Sequence, residues 1–121
     1  MGREPRPMGA DYVRALREHR IDLLCRGGAM LGLIEIVARP DHLWIENVAI
    51  APAFQGQGLG RVLLAHAETC AAALGLAELR LLTNAAMVAN IALYGALGYA
   101  IERREPFELG IAVYMRKRIG G

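Results

Sequence analysis

Three glycines at alternate positions, Gly56, Gly58 and Gly60, end the run Ala53-Phe54-Gln55-Gly56-Gln57-Gly58-Leu59-Gly60, just ahead of a long alanine- and leucine-rich stretch. A strand that feeds a helix through such a loop leaves the first helical N–H groups without partners and points the positive end of the helix dipole outward. Glycine removes the side chains that would hold a ligand away from that backbone. The chemistry implied is a phosphate cradle. A Walker loop is excluded, because Gly60 is followed by Arg61-Val62 and not by Lys-Ser or Lys-Thr. A dinucleotide fingerprint starting at Gly56 asks for Gly or Ala at position 61 and finds Arg61, and the strands ahead of it read as antiparallel.

The other residue types that carry chemistry are dispersed. Cys25 and Cys70 lie far apart with no Cys-x-x-Cys, and His19, His42 and His66 are scattered along the chain. The expectation is no metal site, and cysteines that stay reduced as small buried hydrophobes. His66 falls on the apolar side of the long helix and reads as a packed or partly exposed histidine.

The elements that must position the glycine loop follow from periodicity and turn residues. Residues 9–19 carry Tyr12, Val13 and Leu16 at helical spacing behind Asp11. Residues 21–25 read as a strand, Arg26-Gly27-Gly28 as a hairpin turn, residues 30–38 as a second strand and residues 43–50 as a third. Leu59, Val62, Leu63, His66, Ala67, Cys70, Ala71 and Leu74 form one stripe of an amphipathic helix that stops at Gly75. A strand over 77–83, a helix over 88–97 ended by Gly98, and strands over 99–104 and 110–118 complete the chain. The fold class is α/β (α+β): a mixed sheet with antiparallel N-terminal strands and one parallel pair, 43–50 with 77–83, joined by a right-handed helical crossover and flanked by helices.

Composition agrees with one packed domain spanning 1–121. The chain has 121 residues, 55% hydrophobic and 21% charged, with a net charge of +2. The basic groups at Arg103–Arg104 and Arg116-Lys117-Arg118 read either as solvated strand ends or as help in attracting a polyanionic ligand. There is no basic stripe of the kind nucleic acid requires, and no apolar run long enough for a membrane span. The basic, proline-bearing start lacks an apolar core for a signal peptide, so the expected location is cytoplasmic.

Gln55-Gly56-Gln57-Gly58-Leu59-Gly60 resembles the cofactor motif of the GNAT acetyltransferase superfamily, Gln/Arg-x-x-Gly-x-Gly/Ala. Asn47-Val48-Ala49-Ile50-Ala51-Pro52 is similar to that family's strand ending Val-Ala-Val-x-Pro. Leu82-Thr83-Asn84 and Asn90-Ile91-Ala92-Leu93-Tyr94-Gly95-Ala96-Leu97-Gly98-Tyr99 resemble its Asn-x-x-Ala-x-x-x-Tyr segment, with slightly shifted spacing. The match covers roughly residues 30–118.

The resemblance implies an acetyl-CoA-dependent N-acetyltransferase acting on an amine, with acetyl-CoA as cosubstrate, beside the composition-based expectation of no metal, nucleic-acid or membrane partner. Gln55, Gly56, Gln57, Gly58, Leu59, Gly60 and Arg61 would bind the CoA diphosphate through backbone N–H groups. Val48, Ala49 and Ile50 would pair with the pantetheine arm, where an N–H polarises the thioester carbonyl. Asn84 and Asn90 would lie along that arm, and Tyr94 near the sulfur as general acid. Glu46 is the candidate base, expected by strict alternation to share a face with Trp44, Val48 and Ile50; Glu35 on the neighbouring strand is its rival. The alternative function is an inactive acyl-CoA-binding or sensing module.

Family members begin with a strand and a helix ahead of the segment matching residues 9–19, and the chain reads as short by those two elements. The strand at 21–25 then becomes an edge and one sheet face lacks a helix, so a homodimer is expected.

Overall fold

The fold is taken from a computed structural model, which describes residues 19–119. These residues form strands β1 (His19–Arg26), β2 (Ala29–Ala38) and β3 (Leu43–Ile50), then a single 3₁₀ turn (Pro52–Phe54) and helix α1 (Leu59–Ala73). Strand β4 (Glu78–Asn84), helix α2 (Val88–Ala96), β5 (Ala100–Phe107) and β6 (Gly110–Arg118) follow. All six strands belong to one sheet in the order β1-β2-β3-β4-β6-β5. The three early strands are antiparallel neighbours, as their tight turns require, and β3 and β4 are the parallel pair.

The core lies between α1 and one face of the sheet. Ile34, Ile36, Leu43, Ile45, Leu79, Leu81, Val113 and Met115 project from four strands against Leu63, Leu64, Ala67, Cys70 and Ala71 of the helix. The buried helical stripe is rotated from the one periodicity suggested. Leu64 is almost wholly enclosed, whereas Val62 and Leu74 are exposed. Alanine-rich helices give a broad apolar surface, so spacing alone does not fix which edge of the stripe turns inward.

Most of the expected helix over 9–19 lies outside the described residues. His19 lies within them and opens β1, which runs past the expected strand at both ends. The last hairpin is also longer than expected: β5 continues to Phe107, and Tyr99 precedes it as a buried connecting residue.

Two features of this sheet shape a site. The first is the parting of β3 from β4, which pair only at Leu43↔Leu79 and Trp44↔Arg80. Beyond that point β3 stays zipped to β2 as far as Gly32↔Ile50, and β4 to β6 as far as Asn84↔Ala112. Each wall is held from its outer side, so the gap is part of the fold. The second is a bulge in β3. Ile36 faces Ile45 but Glu35 faces Asn47, leaving Glu46 as the extra residue.

Candidate functional site

The bulge changes which side chains face the helices. Leu43 and Ile45 point into the core before it, and Val48 and Ile50 pack against the same core after it. Trp44 and Glu46 therefore lie on the opposite face, where the Trp44 indole Nε1 donates to Glu46 Oε1 at 2.8 Å. This corrects the expectation that Glu46 shares a face with Val48 and Ile50. Strict period-2 alternation fails across one inserted residue. Glu35, whose neighbours Ile34 and Ile36 are core residues, stands on the Glu46 side, 3.3 Å from His19 Nδ1.

On the helical face, the mouth of the gap opens into a cavity of about 340 Å³ lined by Val48, Ile50, Gln55, Gly60, Leu64, Met87, Asn90, Leu93 and Tyr94. Cavities of about 540 Å³ beside the end of α1 and about 400 Å³ beside β1 are larger. Neither adjoins the strand parting and the start of α1 together, which is what makes the smaller cavity the candidate site.

Gly58 caps α1 in the left-handed conformation, at φ 77°, with no side-chain cap hydrogen bond among the described residues and no acidic residue in the first turn. Gly56 has φ 82°. A Cβ at either glycine would meet nothing within 4 Å, so the demand for glycine is conformational and not steric. The loop thus turns the chain so that the opening N–H groups of α1 face outward, uncompensated by any carboxylate of that turn. Gly60 serves differently: a Cβ there would lie 3.5 Å from Leu93 Cδ2, at the contact between α1 and α2. The Gln55 side chain donates to the Ile50 carbonyl at 3.2 Å and so spans from loop to strand end. Gln57 and Arg61 are exposed, Leu59 is half-buried, and Ala49 is exposed between Val48 and Ile50.

Helix α2 supplies the far wall. Gly98, at φ 98°, ends it with the paired bonds Gly98 N–H to Gly95 O and Tyr99 N–H to Tyr94 O. That closure folds Tyr99 back onto Tyr94, with ring centroids 5.8 Å apart and tilted by 58°. Tyr94 reaches the cavity, and burial pushes its hydroxyl above the ordinary tyrosine range, so it remains protonated through neutral pH. The Tyr99 hydroxyl is enclosed, with no hydrogen-bond partner among the described residues, and burial raises it further.

The two asparagines separate. Asn90 lines the cavity. Asn84 does not: its Oδ1 accepts from Ala86 N–H at 2.9 Å and its Nδ2 donates to Leu109 O at 3.3 Å. Its side chain is engaged in holding the β4–α2 turn to the β5–β6 hairpin. Sequence reasoning also left out Leu64, Met87 and Leu93, which give the cavity its apolar lining. For Met87 and Leu93 the signal was their helical spacing with Asn90 and Tyr94 at the start and on one side of α2.

The family model described as the acetyltransferase (GNAT) family matches residues 3–99, most of the chain. The chain belongs to that family. This GNAT member is similar to the ribosomal protein bS18-alanine N-acetyltransferase of Escherichia coli (strain K12), with 42% identity over 59 residues. That alignment covers 49% of this chain and 40% of the relative, less than half of its length. The crystal structure of the E. coli ribosomal-protein-S18-alanine N-acetyltransferase superposes with a TM-score of 0.79 at 28% identity, covering 92% of this chain and 76% of that one. A GNAT acetyltransferase from Elizabethkingia anophelis, solved with acetyl-CoA bound, has the same fold with a TM-score of 0.79 at 18% identity, over 89% and 81% of the two chains. No helix among the described residues of this GNAT chain is long and apolar enough to cross a membrane.

Proposed function

We propose that the chain is an acetyl-CoA-dependent N-acetyltransferase, moving an acetyl group to a primary amine by direct attack in a ternary complex. One observation carries this reading. A fixed gap in the sheet has an uncapped helix start and an apolar slot on one face, and two carboxylates, Glu35 and Glu46, on the other. Donor and acceptor can then approach the gap from opposite sides, and binding both converts their encounter into an intramolecular step.

The backbone of Gln55 to Arg61 would hold the diphosphate of acetyl-CoA, and the edge of Val48 to Ile50 its pantetheine arm, with Asn90 alongside. For the arm to use the Ile50 carbonyl, Gln55 has to release it. A strand N–H would polarise the thioester carbonyl. A lysine-like amine has a pKa of about 10.4, so it must shed a proton before attack. Glu46 would take that proton directly or through water, with Glu35 as the competing base. Tyr94 would donate to the departing thiolate. This direct route draws its acid and base from side chains and calls for no metal.

The relatives support the class. The names of the E. coli proteins specify an alanine of a ribosomal protein, which makes an N-terminal peptide amine the first acceptor to try. The same reading places the chain in the cytoplasm, as a single domain over 1–121 and as a homodimer.

The test is a free-thiol assay with acetyl-CoA across an amine panel, run beside a thermal-shift titration with CoA. Thiol release with one class of amine, together with a CoA-dependent rise in Tm that Gly58→Val abolishes, is the expected result. A rise in Tm without thiol release on any amine would identify an acyl-CoA-binding module instead. No response to CoA would end both readings.

A further inference from the structure

Away from the cleft, the fold assembles a side-chain cluster that the sequence keeps far apart. Asp22 projects from β1, and His66 and Cys70 lie one turn apart on α1. Their ligand-type atoms all fall within 4.8 Å of one another. His66 Nε2 is 2.6 Å from Asp22 Oδ2 and 3.5 Å from Cys70 Sγ.

The way these contacts converge decides what the cluster can do. A nucleophilic triad uses opposite ring nitrogens of its histidine, one facing the carboxylate and the other the nucleophile. Here carboxylate and thiol both meet Nε2. An Nε2–H that donates to the carboxylate at 2.6 Å can at most share its proton with the weakly accepting sulfur at 3.5 Å, and it has no lone pair left with which to activate the thiol. The three atoms instead surround one point, as ligands surround a cation.

We propose that Asp22, His66 and Cys70 form a site for a borderline-soft divalent cation, Zn²⁺ being the best fit, which clips the edge strand β1 to α1. Zinc bonds of about 2.0 Å to nitrogen and about 2.3 Å to sulfur, at tetrahedral angles, place those two atoms about 3.5 Å apart. The Nε2 to Sγ separation is 3.5 Å. The nitrogen and carboxylate oxygen, now at hydrogen-bond distance, would open by about 0.7 Å to reach the corresponding spacing. A donor set of thiolate, imidazole and carboxylate selects zinc over magnesium or calcium.

Arg20 currently occupies the place of the cation. Its guanidinium binds both Asp22 oxygens, at 2.8–3.1 Å, and lies 3.2 Å from Cys70 Sγ. The Arg20 side chain is half exposed and can swing to solvent. The cavity of about 400 Å³ lined by Asp22, Val62 and His66 gives the ion a route in and room for a water ligand.

The experiment is equilibrium dialysis of the whole chain against Zn²⁺ alone, with Co²⁺ substitution to report a thiolate ligand by its charge-transfer absorption. One equivalent bound, a cobalt–thiolate band and a zinc-dependent rise in Tm are expected. His66→Gln and Cys70→Ser should each weaken binding by at least about 100-fold, more than the loss of an outer-shell partner costs. Arg20→Ala removes the competing cation and should tighten binding, an effect in the direction opposite to any general damage to the fold. No bound zinc, unchanged binding in His66→Gln, or weaker binding in Arg20→Ala would each overturn the proposal.

Discussion

Tyr94 and Glu46 carry the proposed proton transfers from opposite faces of the sheet, and each makes a separate prediction. Tyr94 must act as an acid, and its half-buried hydroxyl is held above the ordinary tyrosine value of about 10. The sign follows: the competent protonated form persists as pH rises, and activity is lost only as pH passes the raised value. Tyr94→Phe should lower kcat by about 10²-fold or more while leaving CoA affinity unchanged, and should remove that alkaline limb. A pH–rate profile of wild type and variant, with CoA binding measured separately, checks this. Equal kcat in the two proteins would remove Tyr94 from the mechanism. Glu46 is positioned by the Trp44 indole. Glu46→Gln should lower kcat/KM by about 10²-fold with little change in Tm, and more than Glu35→Gln does, because Glu35 is engaged with His19. A larger effect at Glu35 would transfer the role of base to that residue.

At the scale of elements, the sequence revealed a good deal of the fold. Helix α1 and its glycine stop, the Gly27-Gly28 hairpin and the parallel pair around α1 all follow from spacing and turn chemistry. What it concealed has physical reasons. The bulge at Glu46 is one inserted residue with no marker such as glycine, and it alone decides which face of β3 meets the helices. The diversion of Asn84 into a turn depends on the β5–β6 hairpin, 25 residues further on. The Asp22–His66–Cys70 cluster depends on pairing across 44 residues, which no local pattern encodes.

The end of α2 shows how an element sets a residue. Gly98 permits the closure that packs the tilted Tyr99 ring against Tyr94, and a Cβ there would also lie 3.3 Å from the flexible Lys117 side chain. The Lys117 contact can yield, but the positive φ cannot be relieved. Gly98→Ala should therefore destabilise the protein by about 1–2 kcal/mol. In a domain of this size, between the classes that give about 4–8 °C and about 2–4 °C per kcal/mol, that is a fall in Tm of several degrees. Because the packed tyrosine pair positions the proposed acid, kcat should fall as well, whereas Gly95→Ala, where a Cβ meets open space in a helical conformation, leaves it unchanged. Thermal melts and kinetics on both variants separate the contributions.

For the whole molecule, the question is what lies beyond β1. It is the outermost strand of the described sheet on that side, and Ile21 and Leu23 are 57% and 55% exposed on its far face, with Met30 of β2 also exposed. Among the described residues no strand pairs with the outer side of β1, and such an edge with adjacent apolar side chains invites another strand. A second copy related by a two-fold axis would meet it with the same surface, closing the two β1 edges on each other and leaving β5 as the outer strand at each end. The sheet would then run through both protomers, and each cleft would stay open, because the parting of β3 from β4 lies two strands inward. Light scattering at micromolar concentration should give twice the 13.1 kDa chain mass. Leu23→Lys should produce monomers by placing like charges at the new seam, with thiol release per chain retained. A wild-type chain that is monomeric under these conditions would rule out the assembly. Loss of catalysis on dissociation would mean instead that the neighbouring protomer completes the acceptor site.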